Sequence, residues 1–123
     1  MNVNMAETRA YYASIASNSL CDCSYCVNYR SQVRSSYPGV ASYLDLLGIE
    51  IEKAFETSPL EPDENGMLEY CCCQYIVIGR CDAGYHYEID GVEIRLATSY
   101  PRTEIEQEYF VIELFPIRLM YVG

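Results

Sequence analysis

The sequence contains no tryptophan, one histidine (His86) and one lysine (Lys53). With His86 alone, any Ser-His-Asp or Cys-His arrangement has to pass through that residue. It sits between Tyr85 and Tyr87 at the start of an extended stretch, where a surface or pairing role is expected. Bases are scarce altogether: 8 Lys and Arg stand against 18 Asp and Glu, a formal net charge of −10. Such a surface repels phosphate backbones, so nucleic acid and anionic membrane are not expected as main partners. The acids run from Glu7 to Glu113 without forming a tail, as a solvated surface would have them. Glu50 and Glu52, and Glu104, Glu106 and Glu108, share strand faces, but nothing beside them would raise a carboxyl pKa, so glycoside hydrolysis is not expected.

No run approaches the roughly 18 apolar residues of a membrane helix. Met1 to Ala6 has neither a basic region nor an apolar core, so no signal peptide is read and a cytoplasmic location is expected. No phosphate-binding loop, dinucleotide fingerprint or H-E-x-x-H occurs, and the C-x-x-C at Cys23–Cys26 is not repeated.

What is present is half apolar and rich in tyrosine, with 13 copies. That composition excludes intrinsic disorder. Residues 1–123 fit one globular domain, long enough to bury a core. There are 7 cysteines, an odd number. Without an export signal, reduced, metal-bound or catalytic thiols are expected before structural disulfides.

The densest chemistry lies in Cys21-Asp22-Cys23-Ser24-Tyr25-Cys26-Val27-Asn28. Zinc takes about four ligands, thiolates and imidazoles foremost. Cys21, Cys23 and Cys26 offer three, and a fourth has to come from Cys71, Cys73, Cys81 or His86. Asp22 and Asn28 make another candidate site, apart from the metal ligands. A second reading is thiol–disulfide chemistry by Cys23 and Cys26, because a helix N-terminus acidifies a thiol; no βαβ unit supports it. A third is that these thiols are small, partly buried side chains at a turn. Cys71-Cys72-Cys73 is expected to alternate along a strand, with Cys72 facing away from its neighbours, chiefly as core. Cys81 lies too far along that strand to share a site with Cys71, at about 3.3 Å per residue.

Around this stretch the pattern changes type. Residues 7–17 alternate, with Arg9, Tyr11, Ala13 and Ile15 on one side, and favour a strand, although plentiful alanine leaves a helix open. Ser24 opens a helix over about 24–35, with Cys26, Tyr29, Arg30 and Val33 at helical spacing. A second helix is expected over about 39–47, with Pro38 fitting its first turn, Ser36 as a cap candidate, Val40, Tyr43, Leu44 and Leu47 as its apolar face and Gly48 at its end. A strand is expected within 53–58. Asn65-Gly66 turns into a long strand, Met67 to Arg80, apolar on both faces and hence central. Asp90-Gly91 marks a hairpin between Tyr85–Ile89 and Val92–Ala97. Glu108–Phe115 is another central strand, followed by a bulge at Pro116 and an extended 117–122.

Cys21-x-Cys23-x-x-Cys26-x-Asn28, the Asp63-Glu64-Asn65-Gly66 turn into a strand ending Val77-Ile78-Gly79-Arg80, and the stretch from Glu108 to Leu119 resemble a family of small bacterial proteins of unknown function. The resemblance spans most of the chain and implies no activity. Cys71-Cys72-Cys73 departs from it, since glycine and aromatics stand there in the family.

The expected fold is α+β: an antiparallel sandwich or curved sheet with two short helices inserted after the first strand. The expected function is a non-enzymatic binding module with a cysteine-rich turn, for which zinc is one of the open readings; the alternative is a thiol–disulfide redox protein using Cys23 and Cys26. Tyrosine-rich contact faces would meet a protein or small-ligand partner, and self-association is left open.

Overall fold

A computed structural model describes residues 2–122; Met1 and Gly123 lie outside the described residues. The chain is α+β, with three helices and a curled antiparallel sheet shaped as a half-barrel. After a short strand β1 (Asn2–Val3) come α1 (Met5–Ala13), α2 (Ser24–Ser36) and α3 (Pro38–Leu47). The strands β2 (Glu56–Pro59), β3 (Met67–Arg80), β4 (His86–Ile89), β5 (Val92–Leu96), β6 (Tyr109–Phe115) and β7 (Ile117–Met120) follow.

The stretch expected to be the first strand is helix α1. Its signals are at its start and on its inner face. The Asn4 side chain accepts from the Glu7 N–H at 3.1 Å, capping the first turn. Thr8 and Tyr12, four residues apart, are its buried pair. Both are tied to β3: Thr8 Oγ1 accepts from Ile78 N at 3.1 Å, and Tyr12 Oη donates to Ile76 O at 2.8 Å. Tertiary hydrogen bonds thus override the strand preference of the aromatic and β-branched residues.

The other two helices match their sequence signals. Cys23 is the N-cap of α2 and Ser24 its first helical residue. Tyr37 both ends α2 and starts α3, with Pro38 in the first turn. Val40, Ala41, Leu44 and Leu47 are buried on the sheet. Gly48 closes α3 at φ 88°, and a Cβ there would stand 2.6 Å from Met5 O, so only glycine fits beneath α1.

β3 is the axis of the sheet. β1 and β2 pair with one edge of it, and β6 and β7 share the other. β5 and β4 continue outward from β6 as the hairpin around Asp90-Gly91. The face pattern of β3 is not the uniform alternation expected. Leu68 and Tyr70 point into the main core, and beyond Cys71-Cys72 the inward set becomes Cys73, Tyr75 and Val77. The β6–β7 strand switches with it, from Leu114 to Ile117 across Phe115-Pro116. Proline has no N–H for the ladder, so pairing lapses on both strands at the same place and the sheet bends there. Ile76 and Ile78 face the other side and pack with Val111 in a smaller cluster. Gly79 pairs with Val3, and a Cβ on it would meet Asn2 O at 2.4 Å. No helix among the described residues is long and apolar enough to cross a membrane.

Of the 13 tyrosines, four are buried, seven are partly exposed and two are exposed. Tyr12, Tyr29, Tyr70 and Tyr75 are among the largest fully buried side chains, and only Tyr87 and Tyr100 are prominently exposed. Buried hydroxyls need partners, and these have them: Tyr29 Oη lies 2.5 Å from Tyr75 Oη, which donates to Ile51 O at 2.6 Å.

Candidate metal centre

The chain leaves α1, passes a short 3-10 turn at Ser17–Ser19 and enters α2 through Cys21-Asp22-Cys23. Cys23 is extended, at φ −65° and ψ 154°, and Cys26 stands in the first helical turn. This bend folds the C-x-x-C back on itself and carries Cys21 alongside. The three Sγ atoms lie within 4.8 Å of one another. Cys21 and Cys23 are exposed and Cys26 half-buried. The group could therefore hold a metal ion.

The bend is held from the sheet. Tyr70 Oη donates to Tyr25 O at 2.5 Å, and Tyr121 Oη donates to Ser24 Oγ at 2.9 Å. Both residues between Cys23 and Cys26 are thus pinned by a distant tyrosine. Tyr25 in turn packs edge-on against Tyr121 and donates to Glu61 Oε2 at 2.9 Å. Cys26 Sγ meets Thr57 Oγ1 of β2 at 4.0 Å. No local sequence signal marks Tyr70, Tyr121 or Thr57, because each acts across the fold.

The thiols differ in acidity. The Cys26 backbone N–H at the helix start, then the Cys21 and Cys26 thiols, hold Cys23 below the ordinary thiol range. Cys26 is pushed up to about 12, first by burial and then by its hydrogen bonds with Cys23 and Cys21. One thiol is readily ionised while its neighbour keeps its proton.

The other candidates lie elsewhere. Asn28 is buried, but it clamps the end of the sheet: Nδ2 donates to Met120 O at 3.0 Å, and Oδ1 accepts from Gln32 Nε2 at 2.8 Å and Val122 N at 3.0 Å. Its carboxamide is engaged there through both nitrogen and oxygen. Asp22 is exposed between Cys21 and Cys23 and is not part of the thiol group. Neither Cys71, Cys73 nor His86 joins the three sulfurs. Cys71 is exposed at the bend in β3, and Cys73 is buried beside Tyr29, with its thiol raised by burial. Thr57, the register partner of Cys73, is the group that Cys26 meets instead. Cys72 is half-buried, with its thiol raised to about 11 by burial and by Glu113. Cys81 donates to Asp82 O at 3.4 Å. His86 is on the outermost strand, its Nε2 3.0 Å from Glu93. The carboxylates are engaged as well: Glu50 with Lys53, Glu52 with Arg34 and Glu108 with Arg80.

Compared with protein-family models, curated proteins and solved structures, the chain matches none.

Proposed function

We propose that the chain is a small metal-binding module in which Cys21, Cys23 and Cys26 hold one thiophilic ion, zinc foremost. The observation that carries this is the convergence of three sulfurs within 4.8 Å, on a turn pinned by Tyr70 and Tyr121. Sulfurs bound to one zinc at about 2.3 Å lie close to 3.8 Å apart, so a small contraction suffices. Soft thiolate donors favour zinc or cuprous copper over magnesium or calcium. Binding displaces the Cys26 proton, so affinity falls as pH falls. The module reading over an enzyme rests on the one histidine, which pairs with Glu93 and not with a thiol. Competition against a chromophoric zinc chelator tests it. Tight binding of about one zinc per chain, lost with Cys26→Ser, is the expected result.

Thiol–disulfide exchange is favoured by one observation, the opposed acidities of Cys23 and Cys26. In that reading the Cys23 thiolate attacks a substrate disulfide and expels one thiolate. Cys26 then loses its proton, attacks Cys23 and releases the second, leaving a Cys23–Cys26 disulfide. Catalysed reduction of a disulfide substrate, lost in Cys23→Ser and inhibited by zinc, would select it.

A further inference from the structure

The thiol group borders a cleft of about 330 Å³, whose wall includes Cys21, Cys26, Arg30, Tyr11, Ile15 and Phe55. That size suits a ligand of few heavy atoms. Two other charged residues of the wall are already neutralised. Lys53 Nζ donates to Tyr12 O and Ile15 O at 2.9 and 3.0 Å and pairs with Glu50. Glu52 is gripped by Arg34, at 2.7 Å from Nε. Glu56, also in the wall, is exposed and accepts from the Thr57 N–H at 3.3 Å.

Arg30 is different. Arg34, Arg80, Arg95 and Arg118 each hold a carboxylate. Among the described residues, Arg9, Arg30 and Arg102 have no such partner, and of these only Arg30 is half-buried. It stands four residues after Cys26, hence on the same face of α2. An acidic chain with carboxylates to spare leaves this guanidinium unpaired beside its thiols.

The metal reading, on which this inference rests, draws three donors from the described residues. Zinc needs a fourth donor, and no Cys, His, Asp or Glu among the described residues joins the three. Three thiolates and a divalent ion sum to one negative charge and a fourth thiolate makes two, so a carboxylate carried in with it needs a cation of its own, which Arg30 supplies. We propose that the cleft admits a small carboxylate-bearing thiol, whose sulfur completes the coordination while its carboxylate pairs with Arg30. The thiol gives its proton to solvent as the metal–sulfur bond forms, and no electrons are transferred. A sulfur donor matches the softness of the other three, and guanidinium is the matching fork for a carboxylate.

The test uses the full chain loaded with cobalt(II), whose visible spectrum reports the donor set. It is titrated with 3-mercaptopropionate and with the methyl ester of the same compound. The acid is expected to bind at least about tenfold more tightly than the ester. Arg30→Gln should bring the acid down to the affinity of the ester, and Arg30→Lys should retain part of the preference. Equal affinities in the unaltered chain, or a preference that survives Arg30→Gln, overturn the inference while the metal site stands. Absence of any cobalt–thiolate bands before titration overturns the metal reading, and this inference with it. An unchanged far-UV circular dichroism spectrum verifies that the Arg30 variants are folded.

Discussion

Two cysteine triplets sit in this chain, one on the bend into α2 and one in the middle of β3. Cys71, Cys72 and Cys73 are contiguous, yet one is exposed, one half-buried and one buried. Cys21, Cys23 and Cys26 are spread over more sequence, yet their sulfurs converge within 4.8 Å. The difference lies in the backbone beneath them. A strand throws successive side chains to opposite faces, and the bend at Cys71-Cys72 separates them further. An extended residue followed by a first helical turn does the reverse and curls three side chains towards one point. Acidity follows the same division. Burial raises Cys72 and Cys73, whereas the exposed Cys23 at the helix start is lowered. Closeness in sequence is therefore a poor guide to a shared site; the local path of the chain decides.

The contrast can be broken most forcefully by taking a donor from the turn. Cys26→Ser is expected to weaken zinc binding by more than about a hundredfold, one donor's share of a binding energy of roughly 10–16 kcal/mol. Cys72→Ser should leave chelator competition unchanged. A smaller effect, of another kind, is expected in the strand. Cys73→Leu overfills a fully buried position and should cost about 1–3 kcal/mol in urea unfolding, with zinc stoichiometry intact. Cys71→Leu, at an exposed position, should stay within about 0.5 kcal/mol. Asn28→Ala tests whether that residue belongs to the site or to the scaffold. Loss of its clamp on Met120 and Val122 should cost about 1–2 kcal/mol of stability, and the metal-free thiols should keep their reactivity order. Finest of all is the split inside the turn. As pH rises, iodoacetamide should modify Cys23 first, with a midpoint below that of an ordinary thiol, because the thiolate is the reacting form. Cys26, raised to about 12, should stay protonated and inert through the neutral range. Peptide mapping by mass spectrometry reads both sites, and a common midpoint for the two contradicts the split.

Much of this arrangement was legible beforehand. Ser24, Pro38 and Gly48 punctuate the helices, and the run from Met67 to Arg80 is bounded as β3 is. The hairpin turn has Asp90 and Gly91 at φ 55° and 77°, the backbone that an Asp-Gly pair announces. Helix α1 is masked in the sequence because the aromatic and β-branched residues of 7–17 alternate loosely and favour a strand, while only the alanines speak for a helix. The Asn4…Glu7 capping pair and the spacing of Thr8 and Tyr12 were the better signals. In the site, the convergence of three thiols followed from spacing. Its supports did not, since Tyr70 and Tyr121 reach the bend from 45 and 97 residues away. Asn28 looked like chemistry and is a fastener, a distinction that only the positions of Met120 and Val122 could reveal.

The most direct measurement is elemental analysis of untagged protein purified without added metal, comparing Cys21→Ser/Cys23→Ser/Cys26→Ser with Cys71→Ser/Cys72→Ser/Cys73→Ser. About one equivalent of zinc or copper should accompany both the unaltered chain and the strand variant, and none the turn variant. Metal retained by the turn variant, or absent from the unaltered chain, would contradict the account.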